Sequence, residues 1–134
     1  MRSVNSEEEK DEFPPVWDRL VEMFGVRKEN TVVTYGDKIY SERELTYDII
    51  VHEEVHQKQQ RAYGVEEWWD KYLEDVVFRR SQEVEAYQKQ YQYLKRVIKN
   101  REKLNNNRVR LARDLSSSQY GEMMTYQEAL KMIA

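Results

Sequence analysis

The two histidines of this chain stand four residues apart, in His52-Glu53-Glu54-Val55-His56. On a helix that spacing places two side chains one above the other, about 6 Å apart at the backbone. Two neutral imidazoles so placed converge on one divalent ion at about 2.0–2.1 Å each, and zinc is the ion such a set suits best. Glu53 lies one position round the helix, beside the ion rather than on it. A carboxylate there can take a proton from water whose pKa zinc lowers toward about 7, then pass it to a leaving amine. Two histidines under-ligate zinc. The chain has no other His and no Cys, so the third protein ligand has to be Asp or Glu. Glu66, Glu67, Asp70, Glu74, Asp75, Glu83 and Glu85 follow downstream. Closed structural zinc sites have four protein ligands and catalytic ones three plus water, so two His and one carboxylate read as the open type.

These residues need a helix to hold them. Leu45, Ile49, His52, His56 and Gln60 repeat at steps of three or four, which marks one helical stripe. Ser41-Glu42-Arg43-Glu44 has the form of a capping box opening that helix, and Gly64 closes it. Upstream, Trp17, Leu20, Val21 and Phe24 predict a short helix ending at Gly25. Thr31 to Tyr35 and Lys38 to Tyr40 flank Gly36-Asp37, the pattern of a hairpin with a type II′ turn. Downstream, a helix is predicted from about Val65 to Phe78. A long one starts near Ser81, with Val84, Tyr87, Tyr91, Leu94, Ile98 and Leu104 on its buried face. Asn105-Asn106-Asn107 is expected to interrupt it. Thr125-Tyr126-Gln127-Glu128 is a second capping box, opening a last helix.

The 134 residues suit one domain. Only four Gly and two Pro favour helices over a loop-rich or all-β fold. The expected fold is mainly α, with a small β-hairpin before the helix of His52 and His56. Residues 1–12 read as an acidic tail and 13–134 as the domain. The lack of cysteine excludes disulfides, thiolate metal sites and cysteine nucleophiles. No run of about 18 apolar residues is present for a membrane span. Met1 to Glu12 is unlike a secretory signal, so the expected location is the cytoplasm.

The segment Ser81-Gln82-Glu83-Val84-Glu85-Ala86-Tyr87 stands apart among the downstream carboxylates, because two of them precede a small Ala that lets helices pack closely. It resembles the Glu-x-x-Ala/Ser-Asp/Asn element of the gluzincins, the thermolysin-like zinc peptidases. On that resemblance Glu83 falls on the third ligand and Ala86 on the small residue. Tyr87 stands where the family usually has Asp or Asn. Glu85 is the alternative ligand. The wider pattern joins Tyr35-Gly36-Asp37-x-Ile39-Tyr40, the His52 to His56 motif with Gln59-Gln60, the Glu83 to Tyr87 element, Tyr120-Gly121 and a final helix containing Ala129. It is similar to small metallopeptidase-like proteins encoded by bacteriophages and prophages, and covers residues from about 30 to 133. The resemblance implies a zincin-like core and a Zn²⁺-dependent peptidase held by His52, His56 and Glu83, with Glu53 as general base. For a phage-encoded protein it implies the host cytoplasm or the virion.

The expected partner is a peptide or protein substrate, with no membrane. Zincins pair extended peptide with an edge strand, and Lys38 to Tyr40 is the candidate by position. Arg79, Arg80, Tyr87, Tyr91 and Tyr120 are candidate donors to a developing oxyanion. Asp48, one turn before His52, reads first as a helix-surface carboxylate and second as a candidate to orient that ring. From Lys95 to Arg113 there are eight basic residues against one acid, Glu102, although the chain as a whole carries −3. A second reading follows from that segment: a non-catalytic zinc-binding assembly or nucleic-acid-associated module. The absence of aromatic residues there argues against stacking on single strands.

Overall fold

A computed structural model of the chain describes residues 13–134. The acidic segment expected at 1–12 lies outside the described residues. The architecture is mainly helical, with one two-stranded antiparallel hairpin. In chain order the elements are α1 (Trp17–Phe24), β1 (Val33–Tyr35), β2 (Lys38–Tyr40), α2 (Tyr47–Tyr63), α3 (Val65–Glu74), α4 (Val76–Val97), α5 (Arg101–Leu115) and α6 (Tyr126–Met132). Short 3-10 turns sit at Lys28–Asn30 and Ser118–Tyr120. No described helix is long and apolar enough to cross a membrane.

The hairpin turns where predicted. Tyr35 pairs with Lys38, Thr34 with Ile39 and Val33 with Tyr40. Gly36 has φ +64° while Asp37 does not enter the left-handed region, as a type II′ turn requires. α1 closes at Gly25, whose φ of +66° lets its N–H reach Val21 O. The box predicted at Thr125 and Glu128 forms in both directions.

Three helix boundaries differ from expectation. Ser41 does not open α2. Its hydroxyl turns back on Arg43, accepting from the amide and donating to the carbonyl, so the chain bends there and α2 begins at Tyr47 with Thr46 as N-cap. The helix predicted to reach Phe78 stops at Glu74. Asp75 caps α4 instead, accepting from the amides of Val77 and Phe78. The break expected at Asn105 to Asn107 falls at 98–100, where Asn100 accepts from Lys103 N and starts α5. At Asp75 and Asn100 a local side-chain-to-backbone bond marks the boundary rather than the apolar repeat.

Two apolar clusters form. One joins α1, the hairpin and α3 through Leu20, Val33, Trp68, Trp69, Tyr72 and Leu73. The other joins α4, α5 and α6 through Tyr91, Leu94, Leu111, Leu115 and Ile133. Between them α2 lies against α4 in the most extensive helix–helix contact of the fold. Ala86, fully buried, keeps that approach close.

Candidate metal centre

α2 buries Asp48, Ile50, His52, Glu53, His56 and Gln60. Five of these six are polar or charged, which costs free energy unless every group is satisfied. Gln60 shows how the chain meets that demand. Its Nε2 donates to Thr34 O and its Oε1 accepts from Gly36 N, so it clamps the hairpin onto α2. Trp69 Nε1 donates to the same Thr34 carbonyl.

The candidate ligands converge across the α2–α4 contact. His52 Nε2 and His56 Nε2 each lie 3.2 Å from Glu83 Oε1. All three side chains are buried, and one ligand atom from each lies within 4.8 Å of the others. Tetrahedral ligands at 2.0–2.1 Å from zinc sit about 3.3 Å from one another, which the two nitrogen-to-oxygen separations match. α4 starts earlier than expected, so Glu83 lies in its third turn rather than its first, and its carboxylate meets α2. Glu85 is exposed and joins the cluster only indirectly, by accepting from Gln59 Nε2 at 2.9 Å.

Outer partners fix both rings. His52 Nδ1 bonds Gln90 Oε1 at 2.9 Å, and Gln90 Nε2 donates to Asp48 Oδ2 at 2.8 Å. His56 Nδ1 bonds Gln59 Oε1 at 2.8 Å, while Gln59 Nε2 donates to Gln82 O and Glu85. Carboxylates and carbonyls only accept, so each Gln presents its oxygen to its histidine. Each Nδ1 therefore carries a hydrogen, and each neutral ring aims a lone pair from Nε2 at Glu83. Glu83 Oε2 accepts from Tyr72 Oη at 2.6 Å, leaving Oε1 for the cluster. Asp48 is buried rather than the helix-surface carboxylate its position favoured, and it reaches His52 only through Gln90. Tyr87, standing at the family's Asp/Asn position, packs its ring edge-on against His52 at 4.5 Å between centroids.

Two lone pairs facing a buried carboxylate repel unless a cation lies among them. Without metal, that cation is a proton. Burial opposes a charged His56 ring, but the Glu83 carboxylate beside it prevails and raises its pKa to about 9. Burial likewise opposes the Glu83 charge, and His56 and His52 overcome it, holding the carboxyl well below its usual range. A divalent ion satisfies the same three atoms without the proton. The donor set of two imidazoles and one carboxylate suits a divalent transition-metal ion, zinc among them. A cavity of about 60 Å³ touches His52, Glu53, His56 and Glu83, room for an ion and water.

The metal-free protein has a pH signature. The raised His56 pKa contributes stability that is fully present below its ordinary 6.5 and lost as pH rises through about 9. The lowered Glu83 pKa contributes stability present above its ordinary 4.5 and lost as pH falls below that value. Chelator-treated protein should therefore lose urea resistance in going from pH 6 to pH 9.5. An unchanged or higher midpoint at pH 9.5 would exclude a stabilising His56–Glu83 pair.

Glu53 lies beside the cluster, buried, with Oε1 accepting from Thr34 Oγ1 at 2.7 Å. A cleft of about 340 Å³ opens over His52 and Glu53 and is lined also by Val32, Tyr87, Gln119 and Tyr120. Residues of β2 do not line it; Asn30 and Val32 do. Among the expected oxyanion donors, Tyr87 and Tyr120 reach the cleft, their hydroxyls 2.7 Å apart. Burial, reinforced by neighbouring ionisable groups, raises both phenols well above their usual range, so they remain protonated donors. Arg79 is buried and spends its guanidinium on the carbonyls of Tyr72 and Tyr120. It positions the Tyr120 turn. Tyr91 belongs to the α4–α6 cluster, and Arg80 does not line the cleft.

No family model matches the chain, and no curated protein or solved structure matches it.

Proposed function

We propose that the protein is a zinc-dependent metallopeptidase of the gluzincin type, with zinc held by His52, His56 and Glu83. One observation carries the reading: three buried acceptor atoms converge with both imidazole lone pairs turned inward by Gln59 and Gln90, and an ionisable carboxylate stands beside them at the floor of an open cleft. A structural site has no need of that carboxylate or that opening. When bound, zinc supplies a Lewis acid that polarises the substrate carbonyl and makes water acidic enough to be deprotonated near neutral pH.

Glu53 is the proton carrier. Thr34 occupies its Oε1, so a proton taken from water goes to Oε2 and passes from there to the leaving amine. The Tyr87–Tyr120 hydroxyl pair is placed to donate toward negative charge growing in the cleft. Gln59 and Gln90 keep the rings oriented, and Tyr72 keeps Glu83 turned to one oxygen. The substrate is a peptide or protein that lies between the 30–32 segment and the Tyr120 turn.

Metal analysis of protein purified without chelator, joined to mass-spectrometric screening of a peptide pool, tests the reading. About one zinc per chain and cleavage abolished by chelator are expected. Protein that stays empty in excess zinc would overturn it.

Thr34 acts as a positioning residue in this scheme. Thr34→Val should keep its zinc and lower kcat about tenfold or more, since it removes a buried bond to a charged group. Thr34→Ser should restore most of the rate, because the hydroxyl returns. Equal rates for Val and Ser variants would remove Thr34 from the scheme.

A further inference from the structure

Resting on the metallopeptidase reading, we propose that the cleft takes an acidic segment of polypeptide, with Arg43 and Arg110 as the residues that select it. The cleft runs from His52 and Glu53 to these two arginines. Arg43 is exposed, and its bonds to Ser41 use only its backbone. Its guanidinium has no hydrogen-bond partner among the described residues. Arg110 donates through Nη2 to Asn107 and lies 3.8 Å from Asp48, while its Nε and Nη1 have no partner among the described residues. Three carboxylates stand nearby: Glu53 and Asp114 line the cleft, and Asp48 faces Arg110. Asp48 already accepts from Thr46 and Gln90. Asp114 lines the same wall, half-buried, and burial raises its carboxyl against the pull of Arg110, His52 and Arg43. Two planar forks with spare donors are suited to carboxylates.

The surface beyond continues that charge. Lys103, Asn107, Arg110 and Asp114 follow one stripe of α5 at helical steps, leading from its first turn into the cleft. Lys95, Arg96, Lys99, Arg101 and Arg113 are also exposed, against one exposed acid, Glu102. Arg108 is spent on the carbonyls of Leu130 and Ile133 at the end of α6. An acidic chain can follow this face and enter beside Glu53. A nucleic acid would meet the outer face but has no reason to use Arg43 inside the cleft.

The test uses zinc-loaded Glu53→Gln and end-labelled peptides of one length with acidic, neutral or basic flanks, read by fluorescence anisotropy. The acidic peptide should bind about tenfold tighter than the neutral one, an advantage that shrinks at high salt. In Arg43→Gln/Arg110→Gln that ratio should fall toward one with zinc content unchanged. Arg43→Gln alone, which leaves the Asn107 and Asp48 contacts intact, should remove part of it. Equal binding of acidic and neutral peptides, or a ratio that survives the double substitution, overturns the proposal. So does a 20-base-pair duplex that displaces the acidic peptide in the double variant as well as in the parent. The cleavage arm separates the two claims. Wild type that prefers acidic peptides in binding yet cleaves none supports the selection and sinks the peptidase reading. Wild type that cleaves acidic and neutral peptides equally sinks the selection alone.

Discussion

Zinc added to chelator-treated protein should raise its unfolding midpoint by roughly 10 °C or more. Ligand at a thousandfold excess over Kd stabilises the native state by about 4 kcal/mol, and each kcal/mol moves the midpoint of a domain this size by roughly 3–5 °C. The effect is large because the site exists only in the folded chain. His52 and His56 come from α2 and Glu83 from α4, 27 residues after His56, so the unfolded chain offers nothing comparable. His56→Ala and Glu83→Ala should each abolish the rise and the bound zinc. Both also remove one partner of a buried charged pair, and by about 3–5 kcal/mol they weaken the metal-free protein as well. The zinc-dependent increment is therefore the readout, not the absolute midpoint. Glu85→Ala is the matched control. It loses only the outer bond to Gln59 and should keep most of the increment. A full zinc increment in Glu83→Ala, or none in Glu85→Ala, would reverse the assignment of the third ligand.

The His52 to His56 spacing was legible because chemistry and helical geometry demand the same interval. The hairpin was legible because Gly36 meets a backbone requirement few residues can. The buried face of α2 was only half legible. The stripe through Leu45 and Ile49 reads as apolar, yet Leu45 precedes the helix and the residues buried are mostly polar. Their burial depends on partners far along the chain, Gln90 and Thr34 among them, and hydrophobic patterning does not register such pairs. Gln90 does carry a faint signal, seven residues after Glu83 and so on the same face of α4. Asp75 and Asn100 fell inside predicted helices, yet each caps one through a bond between its side chain and the backbone. The apolar residues around them run on without a break. Between Glu83 and Glu85 the sequence offers a resemblance, while the side chosen depends on which face of α4 packs on α2: Glu83, Ala86 and Gln90 share the buried stripe and Glu85 lies off it.

Glu53→Gln should keep its zinc and its fold while cleavage falls by about a hundredfold to ten-thousandfold, the range over which a positioned base contributes. The substitution is nearly isosteric. A Gln oxygen can still accept from Thr34 Oγ1, so the 2.7 Å bond that anchors the side chain survives. The ligands are untouched, because Glu53 belongs to none of the ligand contacts. What disappears is a group able to take a proton at its second oxygen. Among the described residues Asp114 is the one other carboxylate lining the cleft, and any residual rate should be traced through it. If Glu53→Gln retains a few per cent of activity that vanishes in Glu53→Gln/Asp114→Asn, Asp114 is a weak substitute base. If Glu53→Gln at full zinc occupancy cleaves as fast as wild type, Glu53 is not the base. The hydroxyl of Thr34 then holds a structural carboxylate, and the proton must leave by another route.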